Sequence, residues 1–295
     1  MELSNQIAVI TGGGSGIGRS LALALAREGC DLVIADLRAP AAEAVAREVA
    51  ALGRRALAVP TDVAREAEVE ALAGRVLAEF GRIDLFVSNA GVLLGGAVEQ
   101  VTDQDWRWIM EINFYAHVYA VRHVLPGMLA RDHGYFVHIS SAAGLISTGT
   151  NIPYHVSKHA VVALAGGLAI DLRARGTKIN VSVVCPEVVN TNLPDRTFSA
   201  GEIGRDLSQD ERAAHGEAAE ALKLRMATRG LDPDEAARAI VAGIKADRYM
   251  IYTHERTHET IVRRAQDPEQ GNRDAVRVLE REQERMVRFT EQARG

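Results

Sequence analysis

Thiols are scarce: Cys30 and Cys185 are the two cysteines among 295 residues. Two cannot build a disulfide framework, so they read as reduced apolar thiols in a cytosolic protein. Basic charge is not in excess. The 34 Lys and Arg against 39 Asp and Glu leave a net charge of −5, and both signs are mixed along most of the chain. That excludes the electrostatic footprint of a nucleic-acid or anionic-membrane binder. No apolar run is long enough to span a bilayer, and the opening Met1-Glu2-Leu3-Ser4-Asn5-Gln6 is polar and acidic, unlike a secretory leader. The expectation is a soluble, cytoplasmic protein. Internal repeats and low-complexity linkers are missing as well. No histidine, cysteine or acid falls in a zinc-ligand spacing, so His117, His123 and His138 are not read as ligands, and His155 and His159 read as surface or interface residues.

What is there is apolar: 47% of the residues are hydrophobic, ample for a large core. Short non-alternating runs rich in Val and Ile recur at Ile7 to Ile10, Leu32 to Ala35, Ala56 to Val59, Leu85 to Val87, Tyr135 to Ile139, Ile179 to Val184 and Tyr249 to Tyr252. Strands covered on both faces read this way. Periodic Ala/Leu stretches lie between them. The alternation predicts an α/β fold, a Rossmann-type doubly wound parallel sheet forming a single domain over residues 1–255. An irregular polar segment, about residues 187–209, follows the last long strand. Residues 256–295 read as a charged helical C-terminal extension with sparse apolar positions at Val276, Leu279, Met286 and Phe289, a solvated helix before a lid or a subunit contact.

The first run feeds into Thr11-Gly12-Gly13-Gly14-Ser15-Gly16-Ile17-Gly18. A P-loop would need Lys where Arg19 stands, which weighs against a phosphotransferase. The strict G-x-G-x-x-G spacing is missing too; what fits is T-G-x-x-x-G-I-G. Glycines here permit close backbone approach, and helix N-terminal amides can face a pyrophosphate. The second run ends in Asp36. An acid at that place accepts hydrogen bonds from both adenosine ribose hydroxyls and repels a 2′-phosphate. Asp36 therefore favours NAD over NADP, with the nearby Arg38 more plausibly a solvated loop residue than a phosphate ligand.

These features, with further spaced motifs, resemble the short-chain dehydrogenase/reductase family over about residues 5–193. Asp62-Val63 looks like the family's adenine contact, and Asn89-Ala90-Gly91 like its N-A-G element, with Ser88 in place of the usual first Asn. Asn113, Ser141, Tyr154 and Lys158 fall in the family's catalytic order. The resemblance implies coenzyme contacts from Thr11, Gly12, Ser15, Gly16, Ile17, Gly18, Asp36, Asp62, Val63, Asn89, Ala90, Gly91, Tyr154, Lys158, Pro186, Val189 and Thr191. After the sixth strand Glu187 replaces the family's glycine in P-G-x-V-x-T, and it either faces the substrate or is solvated.

Tyr154 and Lys158 are i and i+4 and share a helix face. A phenol with an ordinary pKa of about 10 becomes a base when a nearby ammonium and an oxidised nicotinamide favour phenolate. Tyr154 is then the acid/base, Ser141 the partner of the substrate oxygen, and Lys158 a ligand of the nicotinamide ribose. Asn113 is implied to hold a water between Lys158 and solvent. Gly144, Leu145 and Ile146 are candidates for the pocket wall. Trp106, Trp108, Phe114, Tyr115 and Val118 suit a homodimer or homotetramer interface as well as a core. The implied activity is hydride transfer between NAD(H) and a secondary alcohol or ketone. The stretch from residue 239 to 254 and its charged tail are similar to members acting on bulky secondary alcohols, such as aryl ether Cα-dehydrogenases. The alternatives are an NADPH-dependent ketone reductase and a non-catalytic NAD-binding regulator.

Overall fold

Strand β1 (Ile7–Thr11) is buried at all five positions, and β2 (Asp31–Asp36) at all six. A strand buried on both faces cannot afford polar alternation, which is why these runs are continuous in Val, Ile and Ala. The chain is described in a computed structural model over residues 1–95, 98–147, 149, 151–199, 209–254, 257–274 and 276–277. Each of the seven apolar runs is a strand of one parallel sheet. The others are β3 (Ala56–Pro60), β4 (Leu85–Ser88), β6 (Gly134–Ile139), β7 (Ile179–Cys185) and β9 (Met250–Tyr252), in the order β3-β2-β1-β4-β6-β7-β9. A separate parallel pair, β5 (Leu93–Gly95) with β8 (Thr197–Ser199), has no counterpart in the sequence reading. Three-residue strands carry too little pattern to be read. β3 departs from the expected full burial: at the sheet edge its residues are half-buried, and Pro60 is exposed.

Two apolar clusters sandwich the sheet. On one face Ile10, Leu32, Ile34 and Val137 pack against α1 (Gly16–Arg27), α2 (Ala39–Ala51) and α8 (Pro233–Lys245) through Leu21, Leu25, Val45, Ile240 and Ile244. On the other, Val9, Val33, Phe86 and Phe136 meet α3 (Glu66–Phe80), α5 (Ala116–Arg131) and α6 (Ile152–Ala174) through Leu72, Val76, Met128 and Leu172. Each such side chain, fully buried, contributes about 1.5–3 kcal/mol. Cys30 and Cys185 are free and buried within these layers, and burial pushes both thiols up to about 12.

The sheet reverses its winding between β1 and β4, which are neighbours although two strands separate them in sequence. Loops leaving these strands diverge and open a crevice at their carboxyl ends. α4 (Asp103–Met110) runs into a π-helical turn, Glu111–Tyr115, before α5. α7 (Gln209–Arg229) and α9 (Thr257–Gln266) complete the helices. Within the irregular segment, residues 200–208 lie outside the described residues, as do Leu279, Met286 and Phe289 of the charged tail.

Candidate active site

The glycine turn after β1 is closed by side chains from the neighbouring loop. Thr11 Oγ1 accepts from Asn89 N (3.0 Å) and Ala90 N (3.2 Å), while Asn89 Nδ2 donates to Thr11 O (2.9 Å) and Gly12 O (3.1 Å). Gly12 has φ of +61°, and a Cβ on Gly18 would lie 2.3 Å from Gly12 O. No side chain fits at Gly18 without moving the backbone, so helix α1 starts flush against the turn. At the end of β2, Asp36 Oδ2 accepts from Gly14 N and Oδ1 from Arg38 N, each at 3.0 Å. Arg38 Nη2 reaches Ser15 Oγ at 3.4 Å, and its side chain is half exposed beside the turn, in keeping with a solvated loop residue.

A cavity of about 600 Å³ follows this turn from Asp36 and Val63 to Tyr154 and beyond. Of the seventeen residues that the sequence assigns to the coenzyme, Gly12, Ser15, Gly16, Ile17, Gly18, Asp36, Asp62, Val63, Asn89, Ala90, Gly91, Tyr154, Lys158, Pro186, Val189 and Thr191 line it. Thr11 does not. Its hydroxyl is buried behind the turn and joins two loops by main-chain hydrogen bonds. The donors fit a dinucleotide: the cradle has glycine where the backbone must be approached and a carboxylate at its far end.

β6 delivers Ser140 and Ser141 to the same cavity. Ser140 Oγ donates to Lys158 O (2.8 Å), which fixes the strand end to α6. Ser141 Oγ accepts from Ala143 N (3.1 Å) and is hydrogen-bonded to the Tyr154 hydroxyl. Lys158 Nζ donates to Ile139 O at 3.1 Å and lies 5.8 Å from the Tyr154 ring centroid. Burial pushes the Lys158 pKa down to about 8, which leaves the ammonium as the main form at neutral pH. The Tyr154 phenol is pushed up, because burial outweighs the hydrogen bond from Ser141.

Asn113 sits in the π-helical turn, the kind of helix irregularity that a poor helix former tolerates. It is fully buried and outside the cavity lining. Its Oδ1 accepts from Val92 N (2.9 Å), and its Nδ2 donates to Val92 O (3.0 Å) and Ser157 Oγ (3.1 Å). Asn113 thus ties the turn to the loop after β4 and to α6. Only Gly91 separates it from the lysine: a Cβ there would lie 3.4 Å from both Asn113 Oδ1 and Lys158 Nζ.

Other sequence expectations need correction. His155 is not a surface residue: it is 7% exposed, and its Nδ1 is 3.0 Å from both Ala143 O and Ile146 O. Two carbonyls on one nitrogen put the proton on Nδ1, and the ring anchors the turn after β6. His117 and His138 are buried partners, Nδ1 to Nδ1 at 3.0 Å. Ile146 lines the cavity, whereas Gly144 is packed beneath Ser140 and Lys158 and Leu145 joins the core. The sequence also missed wall residues: Leu222 and Met226 of α7, and Thr257, Thr260 and Ile261 of α9. Nothing in their spacing marks them, since they meet the site only through tertiary folding.

Comparison with known proteins agrees with this geometry. The family model described as short chain dehydrogenase matches residues 6–200. A CLA biosynthesis dehydrogenase/reductase of Lactiplantibacillus plantarum is 35% identical over 193 residues, covering 65% of this chain and 68% of that protein. A cyclohexanol dehydrogenase of Acinetobacter sp. (strain SE19) is 34% identical over 193 residues, covering 65% and 76%. The crystal structure of a short chain dehydrogenase/reductase from Burkholderia phymatum in complex with NAD superposes with a TM-score of 0.81 at 32% identity, covering 91% of this chain and 96% of that one.

Proposed function

The chain belongs to the short-chain dehydrogenase family, and from that premise we propose that it is an NAD-dependent enzyme that interconverts a bulky, hydrophobic secondary alcohol and its ketone. Membership makes it an oxidoreductase acting on CH–OH groups. The observation that carries the finer reading is convergence: Ser141, Tyr154 and Lys158 open into the same cavity as the glycine turn and Asp36.

In this reading the substrate oxygen lies between the hydroxyls of Ser141 and Tyr154. Tyr154 Oη removes the alcohol proton in oxidation and returns it to the carbonyl oxygen in reduction. Ser141 donates a hydrogen bond to the oxygen as negative charge grows on it. Lys158, with one N–H on Ile139 O, has its remaining donors for a ribose hydroxyl. Asn113 keeps the loop after β4 and α6 in register behind them. When bound, the coenzyme would supply the hydride carrier at nicotinamide C4 and, oxidised, a positive charge that adds to the Lys158 ammonium near Tyr154. Asp36 holds the adenosine ribose and disfavours a 2′-phosphate.

The test is Tyr154→Phe. Loss of the acid/base is expected to lower kcat about 10²–10⁴-fold, while the Kd for NADH, read from its fluorescence, rises by no more than about tenfold, because the glycine turn, Asp36 and Lys158 remain. Full turnover without the hydroxyl would refute the mechanism.

A further inference from the structure

Glu187 follows Pro186 at the exit of β7 and lines the cavity beside Thr257, the first residue of α9. Thr257 is 2% exposed, and its Oγ1 donates to Glu187 Oε1 at 2.5 Å. This bond joins two segments seventy residues apart and holds one carboxylate oxygen in place. No lysine or arginine among the described residues pairs with Glu187. The other acids in the lining, Asp36 and Asp62, belong to the coenzyme turn and its flank, and Lys158 is fixed to Ile139 O. Glu187 is itself solvent-exposed, and the cavity that it lines also carries Ile146, Leu193, Met226 and Ile261 beside the polar Asn192 and Thr260. An exposed carboxylate still acts across a cavity at low ionic strength, where the screening length is about 30 Å at 0.01 M salt.

We propose that Glu187 is a specificity-determining residue, a charge filter that rejects alcohols and ketones with a carboxylate or phosphate next to the reacting carbon and admits neutral or ammonium-bearing ones. The proposal deepens the oxidoreductase reading of the same site and rests on it. An anionic substrate would meet an uncompensated carboxylate, whereas an ammonium would gain a partner already oriented by Thr257. Thr257 also makes the first turn of α9 part of the filter, since it fixes where the charge stands.

The experiment is binding to the enzyme–NADH complex of the Tyr154→Phe protein, in which turnover is suppressed, read from NADH fluorescence at low ionic strength, with benzoylformate, its neutral methyl ester and phenacyltrimethylammonium. The ester is expected to bind at least about tenfold more tightly than the anion, and the cation no more weakly than the ester. Glu187→Gln keeps an acceptor for Thr257 and is expected to bring the ester-to-anion ratio down to within about threefold of unity. Thr257→Val keeps the charge but frees its position, so the ester-to-anion ratio is expected to fall while staying above that of Glu187→Gln. Equal binding of the three ketones, or a ranking that survives Glu187→Gln, overturns the filter. Failure to bind NADH at all would overturn the oxidoreductase reading as well, so the two failures are distinguishable.

Discussion

The two halves of the cavity are built by different means. In the coenzyme half, polar atoms are committed to main chain: Thr11 and Asn89 clamp the loops after β1 and β4, and Asp36 holds the amides of Gly14 and Arg38. In the substrate half, four separated segments bring Ile146, Leu193, Met226 and Ile261 together, and the Glu187–Thr257 hydrogen bond spans them. A backbone cradle is intolerant, because each atom has one place. An apolar wall is permissive, because many side chains fill the same volume. One half therefore fixes the chemistry, and the other is free to change the substrate.

The sharpest way to break this contrast is Gly18→Ala. Its Cβ would lie 2.3 Å from Gly12 O, so either the turn or the start of α1 must shift. Overpacking of this kind costs about 1–3 kcal/mol. The Kd for NADH is expected to rise about 100-fold, with a lowered melting temperature as the second readout. Wild-type NADH binding would mean that the cradle yields as easily as the wall.

Next in size is Asp36→Ala. Asp36 is 3% exposed and lines the cavity, and Arg38 Nε lies 3.7 Å from Oδ1. Removing the carboxylate takes away the ribose acceptor and leaves Arg38 beside Ser15 as a partner for a phosphate. The ratio of kcat/KM for NAD⁺ over NADP⁺ is expected to fall about 10–100-fold. An unchanged ratio would reduce Asp36 to a loop staple for Gly14 and Arg38.

The same contrast explains what could be read from the sequence. The coenzyme half was legible because short-range chemistry dictates it. Glycines at a crowded turn, an acid at a strand end, and Tyr and Lys one helical turn apart leave local traces. The seven main strands were legible because burial on both faces writes continuous apolar runs. His155 reads from the sequence as a surface or interface residue, because its partners, Ala143 O and Ile146 O, are main-chain atoms of another segment. The pairing of His117 with His138 hides for the same reason, as it joins α5 to β6 across the fold. Leu222, Met226 and Ile261 look like any helix residues until α7 and α9 are placed over the crevice.

The smallest effect tests the permissive half directly. Ile261 is half-buried on α9 and lines the cavity, away from the glycine turn. Ile261→Ala removes apolar contact from a surface that keeps Ile146, Leu193 and Met226. Partial loss of one aliphatic side chain is expected to cost about 1 kcal/mol or less in transition-state binding, or up to about fivefold. The loss should fall on bulky alcohols, which reach α9, and spare small ones such as 2-propanol. The bulky-to-small ratio of kcat/KM should therefore drop about threefold, while the Kd for NADH holds steady. The comparison of the two constants is decisive, because the coenzyme turn follows β1 whereas Ile261 stands on α9, far along the chain. If NADH affinity fell in step with the kcat/KM ratio, the wall and the cradle would be mechanically coupled, and α9 would belong to the rigid half.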